Sequence, residues 1–458
     1  MTLSSDGARK TAYRCVMEVL ENEGYSNLVL KQELGASSLS SQDRAFVTAM
    51  VYGTVTRVYT IDALLSPYLK REIDKLDASV RTCLRMGAWQ VLFAYGVKDY
   101  AAVSETVALA REVCPKGAET MVNAVLRRIA KEGPEKLSSI PAKKVNIRYS
   151  LKSEIAGCLI KWYGSEKAES IMEAFLSIPE VNVRPNFLKV KDTDTLIKEL
   201  EAESVRAEKD PVLPEAADIP GNSIDISKTE SFREGHFSVQ SLSAMLVGRI
   251  ASPEENWNVL DTCSAPGGKT AHLAELMGNK GHIDALDAND VRLKMVDQTA
   301  ERLGLSIIST MHYDCTYLKD ETEKLLPEYD LVLCDVPCSG LGLLHRKPDI
   351  RLSMSYEKMQ DLLPVQESIL ENSCLRVKRG GYLIYSTCTI NPNENEKQIE
   401  SFLSRHDDFE CVPFTELLPE RLKNNPRLSE GSREGMMTIL PDEEGMDGFF
   451  IAKMRRKN

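Results

Sequence analysis

The chain has 458 residues, 43% of them hydrophobic, which is too long for one ordinary domain and enough for about three. Its 57 Lys and Arg against 68 Asp and Glu give a formal charge of -11, which argues against a generally polybasic nucleic-acid binder. The 11 cysteines are scattered and odd in number, with no paired C-x-x-C spacing, so a disulfide framework and a zinc or other metal site are not expected and a reducing, cytoplasmic location is. No apolar run approaches the roughly 18 residues of a membrane span, and the amino terminus lacks the apolar core of a signal peptide. The charge is uneven. Residues 1–150 hold 21 Lys and Arg against 16 Asp and Glu, or +5, leaving 36 against 52, or -16, for the rest. A basic first third on an acidic protein points to a polyanionic partner there.

From Ala8 to about Ala130 the apolar residues recur at three- and four-residue steps, as in Ala12, Val16, Val19 and Leu20, and predict a compact all-helical domain over residues 1–140. Segments Gln42–Val58, Ile61–Tyr68, Ala78–Tyr95 and Glu119–Ile129 are its expected helices. Ala130–Arg148 mixes Gly133, Pro134 and Pro141 with Lys143, Lys144 and Arg148, the composition of a linker. Residues 150–235 alternate predicted helices (Ser153–Tyr163, Glu166–Leu176, Thr193–Glu203) with a short strand at Val181–Val183, giving a small α+β domain in which Pro211–Pro220 is a loop. From residue 236 to 458 strands and helices alternate strictly. Strands are expected at Asn258–Asp261, His282–Asp287, Ile307–His312, Asp330–Asp335 and Tyr382–Thr387, with helices near Thr270–Met277, Asn289–Leu303 and Pro364–Val377. That order predicts an α/β fold with a doubly wound, mostly parallel sheet.

Ligands of such sheets bind at the carboxyl ends of the strands, and the informative residues lie there. Asp261-Thr-Cys-Ser-Ala-Pro-Gly-Gly-Lys-Thr270 is a tight strand-to-helix turn whose Gly267 and Gly268 allow close backbone approach to a ligand. It is not a phosphate loop, because G-x-x-x-x-G-K-[ST] needs glycine where Cys263 stands, and it is not G-x-G-x-x-G either. Asp287 ends the next strand 19 residues after Gly268, an offset at which a carboxylate accepts both hydroxyls of a ribose. Asp314, just past the third strand, is placed to contact an adenine. One such aspartate alone reads as a helix cap or turn residue; three in register after a glycine turn favour a nucleoside cofactor. Two thiols end buried strands, Cys338 after Asp335-Val-Pro337 and Cys388 after Ser386-Thr387, where a Gly380-Gly381 turn feeds the second strand. Both are expected to face one pocket.

Together, Asp261–Thr270, Asp335-Val-Pro-Cys338 and Ser386-Thr-Cys388 resemble the motifs of the S-adenosylmethionine-dependent RNA cytosine-5 methyltransferases. Arg44-Ala-Phe-Val-Thr48, Val51-Tyr-Gly53, Leu84-Arg-Met-Gly-Ala-Trp-Gln90 and Val122-Asn-Ala-Val-Leu-Arg127 resemble a NusB-like RNA-binding domain. The order of parts is similar to the RsmB family of 16S ribosomal RNA methyltransferases, whose target is C5 of cytosine 967. The resemblance implies a Rossmann-like methyltransferase domain preceded by an all-α NusB-like domain and a small α+β domain. It places Cys263, Ser264, Ala265, Pro266, Gly267, Gly268 and Lys269 around the methionine moiety of S-adenosyl-L-methionine, Asp287 at its ribose, Asp314 at its adenine, and Asp335 between cofactor and target base. Thr262-Cys-Ser264 stands where the family pattern has Leu-Cys-Ala, a small change in a loop that binds mainly through its backbone.

The chemistry explains the paired thiols. Cytosine C5 becomes nucleophilic only after a thiolate adds to C6. The resemblance makes Cys388 that nucleophile and gives Cys338 the release step, as the base that takes the C5 proton or as the group that orients one; Pro337-Cys338 alone would suit the reverse assignment used by DNA cytosine methyltransferases. Asp335 can supply a proton or hydrogen bond near N3. Lys269 is either near the reacting base or a surface lysine. The target base must leave its stack, and residues 1–235 are expected to hold the flanking RNA by charge and shape, with Arg127, Arg128, Lys143, Lys144, Arg148 and Arg184 as candidates. The expected partner is therefore 16S rRNA or a small-subunit precursor, with no membrane and a monomeric enzyme. Two rival readings are the same chemistry on a transfer RNA, and an inactive methyltransferase fold serving as an RNA-binding assembly factor.

Overall fold

The computed structural model describes residues 7–220, 225–317 and 325–458. They form two compact units, Met1–Pro179 with Leu344–Ser355, and Glu180–Leu343 with Tyr356–Asn458. No helix among the described residues is long and apolar enough to cross a membrane.

The first unit is helical, with Ala8–Glu21, Ser26–Gly35, Ser41–Thr56, Val58–Leu65, Ala78–Leu92, Asp99–Val113 and Ala118–Ser138 as its main elements. Val16, Met50, Val51, Ile61, Leu65, Leu84, Leu126 and Ile129 bury one face of these helices in a common core. Two glycines of the NusB-like motifs are packing residues. A Cβ on Gly53 would lie 2.1 Å from the Trp89 indole nitrogen, and one on Gly87 would lie 2.4 Å from Leu126, so only glycine lets these helices approach. The expected linker begins later than its composition suggested. The helix continues through Gly133 and Pro134 to Ser138; Gly133 packs on Leu92, where a Cβ would sit 2.8 Å away, and acts as a contact rather than a breaker. Helices Ser153–Tyr163 and Ser165–Ala174 complete the main run.

Residues 344–355 pack into this unit although they lie between strands of the other. Arg351 is 1% exposed and donates to the carbonyls of Tyr149 (3.4 Å), Ser150 (3.2 Å) and Phe175 (2.5 Å). Tyr59 donates back to the Arg351 carbonyl at 3.3 Å. Burial lowers the guanidinium to about 9, and three carbonyl dipoles take the place of a counter-ion.

The second unit contains two sheets. In the smaller, β1 (Val181–Pro185), β2 (Glu208–Lys209), β3 (Ala217–Ile219) and β4 (Phe237–Val239) run antiparallel in the order β2-β3-β1-β4. Leu196 and Leu200 of helix Thr193–Ala202 join Val183, Ala217, Ile219 and Phe237 in its core. β3 lies inside the expected Pro211–Pro220 loop; its three residues are too few to show a period. The larger sheet contains β5 (Asn258–Asp261), β6 (His282–Asp287), β7 (Ile308–His312), β8 (Tyr329–Asp335), β9 (Val377–Thr387), β10 (Phe409–Cys411), β11 (Met436–Ile439) and β12 (Phe449–Arg456). Its order is β10-β12-β9-β8-β5-β6-β7, with β11 also on β12. Strands β5 to β9 pair with one another in parallel, whereas β12 is antiparallel to β9, β10 and β11.

Two local expectations change. Gly380-Gly381 is not a turn before a strand: β9 starts at Val377, runs through both glycines and shifts register against β8 near Tyr329 and Leu331. Gly380 has φ 76°, the left-handed conformation that glycine accommodates within such an irregularity. Helix Tyr356–Cys374 starts before Pro364 and contains it.

Arg351→Leu removes every donor to the three carbonyls while keeping apolar bulk. At roughly 1–3 kcal/mol for an unsatisfied buried group, the thermal unfolding midpoint of the full chain should fall by several degrees.

Candidate active site

The site is assembled at the carboxyl ends of β5, β6, β8 and β9. After β5 the chain turns through Cys263–Gly267 into helix Gly268–Leu276, with Gly267 at φ 102° as the residue before the helix. A Cβ there would lie 3.0 Å from Val296 Cα, so both conformation and space demand glycine. The loop is pinned from below. Thr262 and Ser264 donate their backbone N–H groups to the carbonyls of Leu333 and Leu286, at 3.0 and 2.8 Å, and Thr270 Oγ1 donates to Asp261 Oδ2 at 2.7 Å. Burial pushes the Asp261 carboxyl up to about 7, partly opposed by that hydroxyl. Cys263 is also driven well above the ordinary thiol range, first by burial and then by Cys315 and Cys334, so its place in the loop is not that of a nucleophile.

The Asp287 side chain is 7% exposed and fixed by backbone donors, Ala265 N to Oδ2 at 3.2 Å and Asn289 N to Oδ1 at 2.9 Å. Each oxygen retains a lone pair that can accept a hydroxyl. Ser264 Oγ is buried with no hydrogen-bond partner among the described residues, an orphaned polar atom inside the turn. A backbone-lined turn, an aligned carboxylate and a waiting hydroxyl fit a polar nucleoside cofactor. Asp314 is exposed beyond β7; its Oδ1 accepts from Thr316 N and Oγ1 at 2.9 and 2.7 Å, which holds the turn.

On the other side, Asp335 is clamped between Lys269 Nζ on Oδ2, at 2.6 Å, and Ser386 Oγ on Oδ1, at 2.7 Å. The Lys269 side chain is only 16% exposed, so it is a site residue rather than a surface lysine. Burial pulls its ammonium down, but the charge and hydrogen bond of Asp335 outweigh this and raise it overall. Cys338 and Cys388 meet with their sulfurs 3.2 Å apart, as free thiols. The hydrogen bond to Cys388, reinforced by burial and the charge of Glu394, holds the Cys338 thiol well above its usual range. The two thiols share a hydrogen bond in which either sulfur can be the donor.

Sequence reasoning missed the support beneath the thiols. Glu394, Ser339, Thr389, Gln366 and Asn391 form one buried hydrogen-bonded cluster. The Asn391-Pro-Asn-Glu-Asn395 run directly after a strand reads as a turn, and only the proximity of Cys388 could have drawn notice to it. Among the proposed RNA contacts, Arg184 needs correction. It is 3% exposed and donates to Glu275 at 2.8 and 3.1 Å and to the Gly268 carbonyl at 3.2 Å, so it braces the cofactor turn from within. Arg127, Arg128, Lys143, Lys144 and Arg148 are exposed; Arg148 lies 3.5 Å from Glu169. Among the described residues, no cluster of three or more His, Cys, Asp or Glu could hold a metal ion.

A parallel sheet with a glycine turn, a backbone-held carboxylate and paired thiols, on a chain with a helical unit, defines a nucleoside-cofactor-dependent transferase of the methyltransferase fold. Comparison with known proteins makes this specific. The family described as 16S rRNA methyltransferase RsmB/F matches residues 249–455, and the NusB family matches residues 6–131. The probable ribosomal RNA small subunit methyltransferase B of Bacillus subtilis is 34% identical, over 99% of this chain and 100% of that protein. Ribosomal RNA small subunit methyltransferase B of Xylella fastidiosa is 32% identical over 98% of each. The crystal structure of a methyltransferase homolog protein from Pyrococcus horikoshii, 27% identical, superposes with a TM-score of 0.57 over 70% of this chain and 100% of that one. The chain belongs to the RsmB/F family and is an S-adenosylmethionine-dependent RNA cytosine-5 methyltransferase, with a Rossmann-like catalytic domain and a NusB-like helical domain.

The loop after Cys338 returns to this site through Gly342, whose N–H donates to the Cys388 carbonyl at 3.1 Å and whose carbonyl accepts from Gly448 N at 3.0 Å. A Cβ on Gly342 would fall 1.9 Å from the Gly448 carbonyl oxygen. Gly342→Ala should destabilise the chain by about 1–3 kcal/mol, read by chemical denaturation, and lower methyl transfer to RNA.

Proposed function

We propose that this protein methylates C5 of cytosine 967 in 16S ribosomal RNA through a covalent adduct between Cys388 and C6 of the base. The observation that carries the reading is the 3.2 Å pairing of Cys338 with Cys388 beside the Lys269–Asp335 ion pair. The small-subunit RNA named for the relatives supports ribosomal over transfer RNA, and the intact loop, carboxylates and thiols support an active enzyme over an inactive assembly factor.

In this reading Cys388 adds to C6 as the thiolate, its S–H proton balanced by the proton that N3 gains, and the electron pair displaced from the ring makes C5 nucleophilic. S-Adenosylmethionine, when bound, supplies an electrophilic methyl group to C5. Cys263, Ser264, Ala265, Pro266, Gly267 and Gly268 would hold its methionine part, Asp287 its ribose and Asp314 its adenine. The ammonium of Lys269 holds a proton 2.6 Å from Asp335, so the pair can present a hydrogen bond where negative charge develops at N3. Loss of the C5 proton then restores the C5=C6 bond and expels Cys388. Cys338 serves that release by orienting the group that takes the proton, or by taking it itself once its own thiol proton has left.

The helical unit suits the flanking RNA. Lys70, Arg71 and Arg128, with Tyr68 and Met121, line a groove of about 790 Å³ that has no acidic residue in its wall, and phosphate attraction with base stacking fits such a surface.

Cys338→Ala expressed in cells should accumulate a slowly migrating, nuclease-sensitive protein–RNA adduct on denaturing gels, and sequencing of the attached RNA should return 16S rRNA. The adduct should vanish when Cys388 is also replaced. Trapping by Cys388→Ala alone would reverse the thiol roles. On the free enzyme at neutral pH, iodoacetamide should label Cys388 in preference to Cys338, because the hydrogen bond to Cys388, burial and the charge of Glu394 hold the Cys338 thiol above its usual range; peptide mapping by mass spectrometry reads the ratio.

A further inference from the structure

A carboxylate below the two thiols carries an inference beyond their proposed roles. Glu394 is 0% exposed and has no ion-pair partner among the described residues. Burying a charge is expensive unless it is fully hydrogen-bonded, and here four donors converge on it. Oε2 accepts from Ser339 N at 2.8 Å and Gln366 Nε2 at 2.9 Å. Oε1 accepts from Ser339 Oγ at 2.5 Å and Asn391 Nδ2 at 2.8 Å.

The donors are not scattered through the core. Ser339 directly follows Cys338, and its hydroxyl also meets Thr389 Oγ1, at 2.7 Å, in the residue after Cys388. Gln366 also donates to the carbonyl of Pro337, the residue before Cys338, at 2.9 Å. Asn391 is tied to the Cys388 side, its backbone N–H donating to Thr389 Oγ1 at 3.2 Å. The backbone around it is also anchored, since Tyr385 OH donates to the Glu394 backbone carbonyl at 2.8 Å and Asn395 Nδ2 donates to the Thr389 carbonyl at 3.0 Å. Apolar packing of similar volume stabilises a core at least as well as a buried charge, so stability alone is a weak reason for this arrangement. Its distinctive effect is to fix the residues flanking one thiol against those flanking the other.

We propose that Glu394 is a positioning residue for methyl transfer: its buried carboxylate locks the Cys338 loop to the Cys388 loop and sets the separation of the two sulfurs. Its consequence for catalysis rests on the roles proposed above for Cys388 and Cys338; its consequence for sulfur separation does not. The negative charge of Glu394 also helps keep Cys338 protonated.

The test uses the full-length chain with Glu394→Ala, Glu394→Gln and Ser339→Ala. Diamide takes two electrons and two protons from a pair of thiols to give a disulfide and the hydrazine, so the rate of Cys338–Cys388 cross-linking, mapped by mass spectrometry, reports their approach. Thermal unfolding establishes that each variant is folded, and calorimetry with S-adenosylmethionine reports the cofactor turn. Cross-linking should slow at least tenfold in Glu394→Ala. Misplacement of reacting groups by about 1 Å costs on the order of 100-fold, so kcat should fall by that order while cofactor affinity stays within about twofold. Glu394→Gln, which keeps one acceptor oxygen, should recover part of both, and Ser339→Ala should fall between wild type and Glu394→Ala. A folded Glu394→Ala with wild-type cross-linking overturns the proposal even if kcat falls. If Glu394→Ala does not fold, wild-type cross-linking and kcat in both Glu394→Gln and Ser339→Ala overturn it. Slower cross-linking with wild-type kcat upholds the positioning of the sulfurs and instead refutes the roles given to the thiols.

Discussion

Parallel pairing of β8 with β9 is the constraint on which the site depends. The register sets Asp335 opposite Ser386, and the side chains of these two residues are hydrogen-bonded at 2.7 Å. Cys338 follows three residues after one and Cys388 two residues after the other, so the paired strand ends deliver both thiols to one place. A slip by one residue would turn the strand residues to the opposite faces and separate the sulfurs. The apolar runs of β8 and β9 make such a slip expensive, with Leu331, Val332, Leu333, Leu383, Ile384 and Tyr385 all buried.

Charge is handled differently at each point around this frame. Asp335 faces a cation, Lys269, at 2.6 Å. Asp287 is held by backbone N–H groups and keeps lone pairs for a ligand. Glu394 is held by neutral dipoles alone, so its charge stays local to the thiol loops. Arg184 and Glu275 neutralise each other under the cofactor turn. The proposed cofactor side is thereby stiff through its backbone, and the proposed base-handling side through its side chains.

Much of this was legible in sequence because the relevant signals are local. The limits of β5 and β6 coincide with their apolar runs, and the glycine turn, Asp287, Asp335 and both thiols stand at strand ends where composition alone placed them. What escaped depends on partners far along the chain. Gly380-Gly381 looks like a turn, and only pairing with β8 makes it an irregularity inside β9. Pro134 and Pro364 look like boundaries but are carried by helices whose packing outweighs one lost hydrogen bond. Arg184 looks like an RNA contact until Glu275, 91 residues away, is seen to occupy it. Residues 344–355 carry no local mark of belonging with the helical unit, since Arg351 finds its carbonyls some 200 residues earlier. Glu394 had no signal apart from its distance to Cys388. Strands β10 to β12 lie after the motif-bearing region and extend the sheet through antiparallel pairing.

In the proposed mechanism the two thiols divide the reaction, Cys388 opening it and Cys338 closing it. Tritium release from RNA carrying tritium at cytosine C5, followed together with methyl incorporation, tests this most directly. The wild type should release one tritium per methyl transferred. Cys338→Ala should transfer the methyl group but retain tritium in a protein-bound product, and Cys388→Ala should do neither. Tritium release by Cys388→Ala, or release at the wild-type rate by Cys338→Ala, would contradict it.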